Sequence, residues 1–100
     1  MSHNAEQALR MLDKLLAERP ERVGHDFSEA TRCLCGLRDE LAASWRRTQD
    51  SSDRQRLEQV NAVLSVVVGG HFPLGPVPWP EIEQARNLLG TVMQSGKETA

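Results

Sequence analysis

The fold is decided by residues 54–93, which read RQRLEQVNAVLSVVVGGHFPLGPVPWPEIEQARNLLGTVM. Apolar residues recur at helical spacing in the first third of this stretch and again in its last third. A Gly-Gly pair at 69–70 and four prolines between residues 73 and 80 separate the two periodic segments. The stretch therefore predicts a helix, a stiff connection and a returning helix. The β-branched run at 63–68 is also compatible with a strand, but the sequence offers no second strand to pair with it.

The N-terminal half adds two more amphipathic segments, each with apolar residues on one side and charged residues on the other. Because the connections between the segments are short, neighbouring helices are expected to run antiparallel. The predicted fold is therefore an all-α, four-helix up-and-down bundle with a Pro-rich connection between helices three and four. An alternative is a hairpin of helices three and four, with helix one packed on a partner chain. The predicted helices span residues 4–19, 26–48, 52–69 and 80–95, followed by a frayed tail at 96–100.

Local signals mark the ends of these helices. Asn4, Asp26 and Ser52 are residue types typical of N-caps for the first three helices. Pro80 suits the first turn of the fourth helix. The Gly69-Gly70 pair predicts a left-handed cap that ends the third helix. Gly36 lies inside the second helix, where its lack of a side chain would let a neighbouring helix approach closely.

Length, composition and charge indicate a class of protein. The chain has 100 residues, of which 39% are hydrophobic and 26% charged, and its formal net charge is −2. This composition is typical of a folded globular domain, and we expect residues 1–100 to form a single soluble helical domain. The acidic balance gives no overall positive field, so we expect neither nucleic acid nor a membrane as a partner. Without a signal-like N-terminus or a run of roughly 20 apolar residues, the sequence favours a cytoplasmic location.

Motifs that carry catalysis are absent from the sequence. No glycine-rich phosphate loop, nucleophile elbow or dinucleotide fingerprint is present. No glutamate is followed three residues later by a histidine, as a di-iron bundle requires. We therefore expect the protein not to be an enzyme and to carry neither a cofactor nor a metal.

Two cysteines and two histidines leave a different function open. On a helix, Cys33 and Cys35 point to opposite sides, so they cannot easily share one metal ion and are expected to be structural thiols. His25 and His71 both fall at predicted bends, where a bundle could bring them toward the cysteines. A metal- or small-ligand-binding bundle that uses these four residues is therefore the alternative function.

A basic segment lies around the predicted turn between helices two and three. Residues 46–56 contain four arginines and two aspartates. The arginines could hold a phosphate or an acidic partner segment. The aspartates among them, and the favourable position of cations near a helix C-terminus, favour a solvated surface instead.

The Pro-rich connection and the leucine-rich first helix carry the functional expectation. A stiff loop bearing Trp79 either closes the end of the bundle, with Trp79 capping the core, or presents Trp79 to a partner. The apolar stripes exceed what one small core requires, so we expect a protein-protein interaction module of the adaptor, regulatory or chaperone-like kind. Its partners would be a second copy of the chain, in a homodimer, and another protein. The predicted contact residues are Leu9, Leu12, Leu16, Phe72, Trp79 and Met93.

Overall fold

The computed structural model describes residues 3–20, 24–71 and 75–98, apart from the side chains of residue 71 and of residues 95–98. All of the regular structure in these ranges is helical, and the β-branched run at 63–68 is helical too. The predicted all-α class with four helices is confirmed. The helices are α1 (His3–Glu18), α2 (His25–Thr48), α3 (Ser51–His71) and α4 (Trp79–Glu98).

The four helices form an up-and-down bundle. α1 packs on α2 and α4, and α3 packs on the same two helices, so α1 and α3 lie diagonally across the core. The molecule measures 42 × 21 × 20 Å, and its long axis matches the roughly 36 Å of a 24-residue helix such as α2. The Pro-rich connection between α3 and α4 falls partly on residues 72–74, which lie outside the described residues.

One apolar cluster fills the centre of the bundle and receives side chains from all four helices. Burying a leucine or phenylalanine side chain contributes about 1.5–3 kcal/mol, so these contacts dominate the stability of the bundle. The largest fully buried side chains are Leu12, Leu15, Phe27, Leu34, Leu37, Val60, Val63, Val67, Ile82, Leu89 and Val92.

The connection between α2 and α3 is only two residues long. Gln49 adopts the left-handed conformation, with φ of 56°, and donates its backbone N–H to the Trp45 carbonyl at 2.8 Å. Asp50 then caps α3, because its Oδ1 accepts the Ser52 backbone N–H at 2.9 Å. The prediction that Ser52 is the N-cap was therefore wrong, since α3 begins at Ser51.

The predicted caps of α1 and α2 were also wrong. Asn4 lies inside α1, and its Nδ2 donates to Glu40 Oε1 of α2 at 3.1 Å. The N-cap of α2 is Gly24, which offers no side-chain cap. Asp26 lies in the first turn instead and pairs with Lys14 of α1 at 3.2 Å. In both places the polar side chain reaches a neighbouring helix rather than its own backbone.

Gly36 leaves room for a side chain of α1. A Cβ added to Gly36 would lie 2.5 Å from Asn4 Nδ2, which is too short for a real contact, so the Asn4 side chain would have to shift. The group against Gly36 is thus a side chain of α1, and a close approach of the two helix backbones stays a prediction.

The Gly-Gly pair at the end of α3 does not form a cap. α3 continues through Gly69 and Gly70, and neither glycine has a positive φ. A Cβ on Gly70 would meet Phe27 Cε1 and Ile82 Cδ1, each at 3.0 Å. A Cβ on Gly69 would meet nothing within 4 Å. The predicted left-handed cap was wrong, because Gly70 serves packing between helices.

The last helix is longer than predicted at both ends. α4 begins at Trp79, so Pro80 lies in its first turn as predicted. At its other end α4 continues past Ser95 and Gly96 to Glu98. A glycine costs a helix about 1 kcal/mol relative to alanine, which lowers its stability without forcing it to end.

The two adjacent glycines allow a matched test of packing. We expect Gly69→Ala to raise the free energy of unfolding by about 0.5–1 kcal/mol, because alanine is the better helix former and open space surrounds the new methyl group. We expect Gly70→Ala to lower it by about 1 kcal/mol, because Phe27 and Ile82 are fully buried and overpacking outweighs the helix propensity. Urea denaturation followed by circular dichroism measures both. Equal stability of the two variants would show that this contact is not tight.

Candidate functional site

The structure divides the predicted contact residues into three groups. Leu12 is fully buried and Met93 is 8% exposed, so both belong to the core. Leu9, Leu16 and Trp79 are partly buried and pack against the edge of the core. Phe72 lies outside the described residues. The part of the predicted set that remains accessible to a partner is therefore Leu9, Leu16 and Trp79.

These three residues lie on one side of the bundle, where α1 meets α4. Asp13 and Arg86 join the two helices there, with Arg86 Nε 2.6 Å and Nη2 3.4 Å from the two carboxylate oxygens of Asp13. Leu9 and Leu16 lie four residues before and three residues after Asp13, which places them on the same side of α1. Trp79 lies seven residues before Arg86, on the same side of α4. We call these five residues the α1–α4 surface.

The ion pair within the α1–α4 surface is partly exposed to solvent. The side chains of Arg86 and Asp13 are 34% and 50% exposed. The hydrogen bond that Arg86 donates to Asp13 raises the pKa of Arg86 above its ordinary value, so the guanidinium stays charged. Exposed pairs contribute about 0–1 kcal/mol to stability. The pair therefore matters more for orienting charges on this surface than for holding the bundle together.

Trp79 connects the α1–α4 surface to the core. Its ring centroid lies 6.1 Å from that of Phe27, with the two planes tilted by 41°. Its backbone N–H donates to the Val77 carbonyl at 2.9 Å. Trp79 thus packs on the core, as the structural interpretation of the loop predicts, and it also keeps part of its indole accessible.

A pocket of about 300 Å³ opens beside Trp79 at the end of the bundle. It lies between the residues that follow α1 and those that precede α4. We call it the end pocket, and the described residues that line it are Arg19, Pro20, Pro76, Val77 and Trp79.

A second, smaller groove of about 200 Å³ runs between α3 and α4. Its floor is apolar, and its rim carries one carboxylate and one amide. The sequence analysis did not single out this groove, because its residues alternate between buried and exposed positions on two helices. They are Ala62, Val63, Val66, Glu81, Gln84, Ala85 and Leu88.

A buried polar cluster fastens the opposite end of the bundle, at the α2–α3 turn. Asp53 is only 6% exposed, and its carboxylate accepts hydrogen bonds from Ser44 at 2.7 Å and Thr48 at 2.9 Å. Arg56 Nη2 donates to the same carboxylate at 2.6 Å. The hydrogen bond from Ser44, together with those from Arg56 and Thr48, lowers the pKa of Asp53.

This cluster was not predicted from the sequence. The sequence places Asp53 and Arg56 in a solvated basic segment, whereas the Arg56 side chain is only 12% exposed. Arg46, Arg47 and Arg54 are exposed, as that interpretation expected. The spacing of three residues between Asp53 and Arg56 was the available signal, because such pairs are neighbours on a helix.

The described residues do not assemble the alternative site built from cysteines and histidines. Cys33 lies in the core, where burial raises the pKa of its thiol. His25 lies eight residues away, roughly 12 Å along α2, and faces Glu29. Across the described residues, no group of three or more His, Cys, Asp and Glu side chains could hold a metal ion. The side chain of His71 lies outside the described part.

Comparison with protein-family models, curated proteins and solved structures found no match for this chain. Among the described residues, no helix is long and apolar enough to cross a membrane. The functional interpretation therefore depends on the surfaces of the chain itself.

The buried cluster predicts how stability depends on pH. Because the cluster favours the carboxylate, the pKa of Asp53 is lower in the folded chain than in the unfolded chain, where it is about 4. The stability that it contributes is present above about pH 4 and is lost as the pH falls through the folded pKa. We expect Asp53→Ala to lower the free energy of unfolding at pH 7 by about 3 kcal/mol, because it leaves Arg56 buried without a charged partner.

The matched control is Asp39→Ala, which removes an exposed carboxylate from α2. We expect this change to alter stability by less than about 0.5 kcal/mol. Urea denaturation at several pH values between 3 and 7, roughly spanning the titration of aspartate, measures both variants. A loss for Asp53→Ala that does not shrink toward low pH would contradict the role of the carboxylate.

Proposed function

We propose that the protein is a small protein-protein interaction module, of the adaptor, regulatory or chaperone-like kind, that acts as a homodimer and not as an enzyme. The observation that carries this proposal is the α1–α4 surface, where Leu9, Leu16 and Trp79 remain partly exposed around the Asp13–Arg86 pair. The contact would be made by packing this helical face against a partner. The free thiols Cys33 and Cys35 agree with a reducing, cytoplasmic setting.

The chemistry of this surface suits a protein interface. Aromatic residues and arginines contribute most to binding when apolar neighbours exclude water around them. Trp79 and Arg86 are residues of these two kinds, and Leu9 and Leu16 provide the apolar surroundings. A partner docked here would bury apolar area that the chain covers only in part.

The charges on this surface favour a second copy as the partner. In a two-fold dimer the same patch of each chain faces the other. Asp13 and Arg86 lie side by side with opposite charge, so a two-fold rotation can bring Asp13 of one copy opposite Arg86 of the other. Such a patch is electrostatically complementary to itself, whereas a patch of one charge would repel its copy.

Charge reversal tests this proposal directly. We expect sedimentation equilibrium to show a dimer whose dissociation constant rises at least tenfold in Asp13→Arg, because like charges then meet across the interface. Tenfold corresponds to about 1.4 kcal/mol. We expect the double change Asp13→Arg with Arg86→Asp to restore dimerisation, since it restores opposite charges.

Asp39→Arg is the control, because it makes the same change of charge on the exposed side of α2. We expect it to leave the dissociation constant within about twofold of the original, or roughly 0.4 kcal/mol. A wild-type chain that sediments as a monomer at all concentrations would contradict the homodimer. A dimer that is equally sensitive to Asp39→Arg would contradict the assignment to the α1–α4 surface.

A further inference from the structure

The walls of the end pocket are rigid and apolar. Pro20 and Pro76 have fixed backbone φ angles and little side-chain freedom to lose. Val77 and the indole of Trp79 complete the walls, and Trp79 is held in place by its contact with Phe27. A volume of about 300 Å³ lies at the lower end of the range for small-molecule sites. The pocket is therefore shaped for a small ligand with an apolar or aromatic part.

Arg19 is the one charged residue among the described residues that line this pocket. It follows α1 with φ of 43°, a left-handed conformation that residues other than glycine rarely adopt. Its backbone N–H donates to the Leu15 carbonyl at 2.7 Å, and its Nε donates to the Leu16 carbonyl at 3.2 Å. The first contact holds the backbone of Arg19 and the second ties its guanidinium to the end of α1, and Arg19 lines the pocket.

The guanidinium of Arg19 can still donate hydrogen bonds to a ligand after these contacts are made. Among the described residues, Nε is the one side-chain nitrogen of Arg19 that has a partner, the Leu16 carbonyl, and no carboxylate there pairs with Arg19. Among the described residues, the acidic side chains Glu18 and Asp26 line a separate pocket that Pro20 also borders. Asp26 is already paired with Lys14 there. Within the described part of the chain, the two terminal nitrogens of Arg19 thus remain as donors, in the planar geometry that matches a carboxylate.

We infer that the end pocket binds a small amphipathic carboxylate, with an apolar or aromatic group against Trp79 and the carboxylate on Arg19. A cation would be repelled by the guanidinium. A neutral apolar molecule would contact the apolar walls but would leave the charge of Arg19 without a partner of opposite charge. A small inorganic anion would pair with Arg19 and leave the apolar walls in water. Only a ligand that has both parts uses the whole pocket. This inference goes beyond the proposed interaction function and does not depend on the oligomeric state.

Trp79 provides the signal for a binding experiment. The chain contains two tryptophans, so Trp45→Phe leaves Trp79 as the sole indole fluorophore. In this background we would titrate phenylacetate, 2-phenylethanol and acetate. Phenylacetate carries both the ring and the charge, 2-phenylethanol carries the ring alone, and acetate carries the charge alone. We expect a saturable change with phenylacetate and at least tenfold weaker binding of the other two.

A matched pair of arginine variants tests whether Arg19 binds the carboxylate of the ligand. We expect Arg19→Gln to weaken phenylacetate binding at least tenfold, and Arg47→Gln, which removes an exposed arginine at the opposite end of the bundle, to leave it unchanged. Arg19→Gly relieves the left-handed backbone, so we expect it to raise the thermal midpoint of unfolding while also weakening binding. This variant separates loss of the ligand from loss of the fold.

Three results would overturn the inference. They are no saturable response to phenylacetate up to its solubility, equal binding of 2-phenylethanol, and equal weakening by Arg19→Gln and Arg47→Gln. Sedimentation equilibrium on the same samples reports the dimer separately. A monomer that binds phenylacetate through Arg19 would contradict the homodimer alone, and a dimer that does not bind it would contradict this inference alone.

Discussion

The contact of Phe27 with two neighbouring helices is the constraint on which one end of the bundle depends. Phe27 is fully buried, and its ring lies against the backbone of Gly70 from α3 and against the ring of Trp79 from α4. Without a side chain at position 70, α3 can approach closely enough for this packing. The position of Trp79 follows from it, and Trp79 belongs to both the α1–α4 surface and the end pocket. One apolar contact thus positions the tryptophan that both candidate binding features share.

The opposite end of the bundle is held by polar and charged contacts rather than by apolar packing. The two-residue turn between α2 and α3 is fastened by Asp53 with its three hydrogen-bond donors, and Asp50 caps the helix that follows. Buried ion pairs contribute little net stability relative to apolar packing, but removing one partner is costly. Such a cluster therefore fixes a single geometry for the turn more than it adds stability. The end pocket lies at the other end of the bundle, where prolines and the ring of Trp79 form its walls.

The sequence was sufficient to predict the four helices, because the apolar period of each segment is long and regular. It was not sufficient to predict their ends. Asn4 and Asp26 are good N-caps by composition, yet the folded chain uses them to reach α2 and α1. Gly70 resembles a C-cap and instead makes room for Phe27. A local signal cannot distinguish a contact with its own helix from one with a neighbouring helix, and the inward turn of Arg56 was missed for the same reason.

The surfaces were predictable only in part, and the reason bears on function. The helical period places Leu9, Leu12 and Leu16 on one face of α1, but only the packing of α4 decides that Leu12 is covered while the other two stay accessible. Among the described residues, the acidic and thiol groups with shifted pKa values are Glu29, Cys33 and Asp53, which are held within helices or between them. None of the three lines the end pocket, where Arg19 is the charged residue. The guanidinium of Arg19 can hold a negative charge in place, so the ligand proposed for this pocket depends on a charge that the end of α1 supplies.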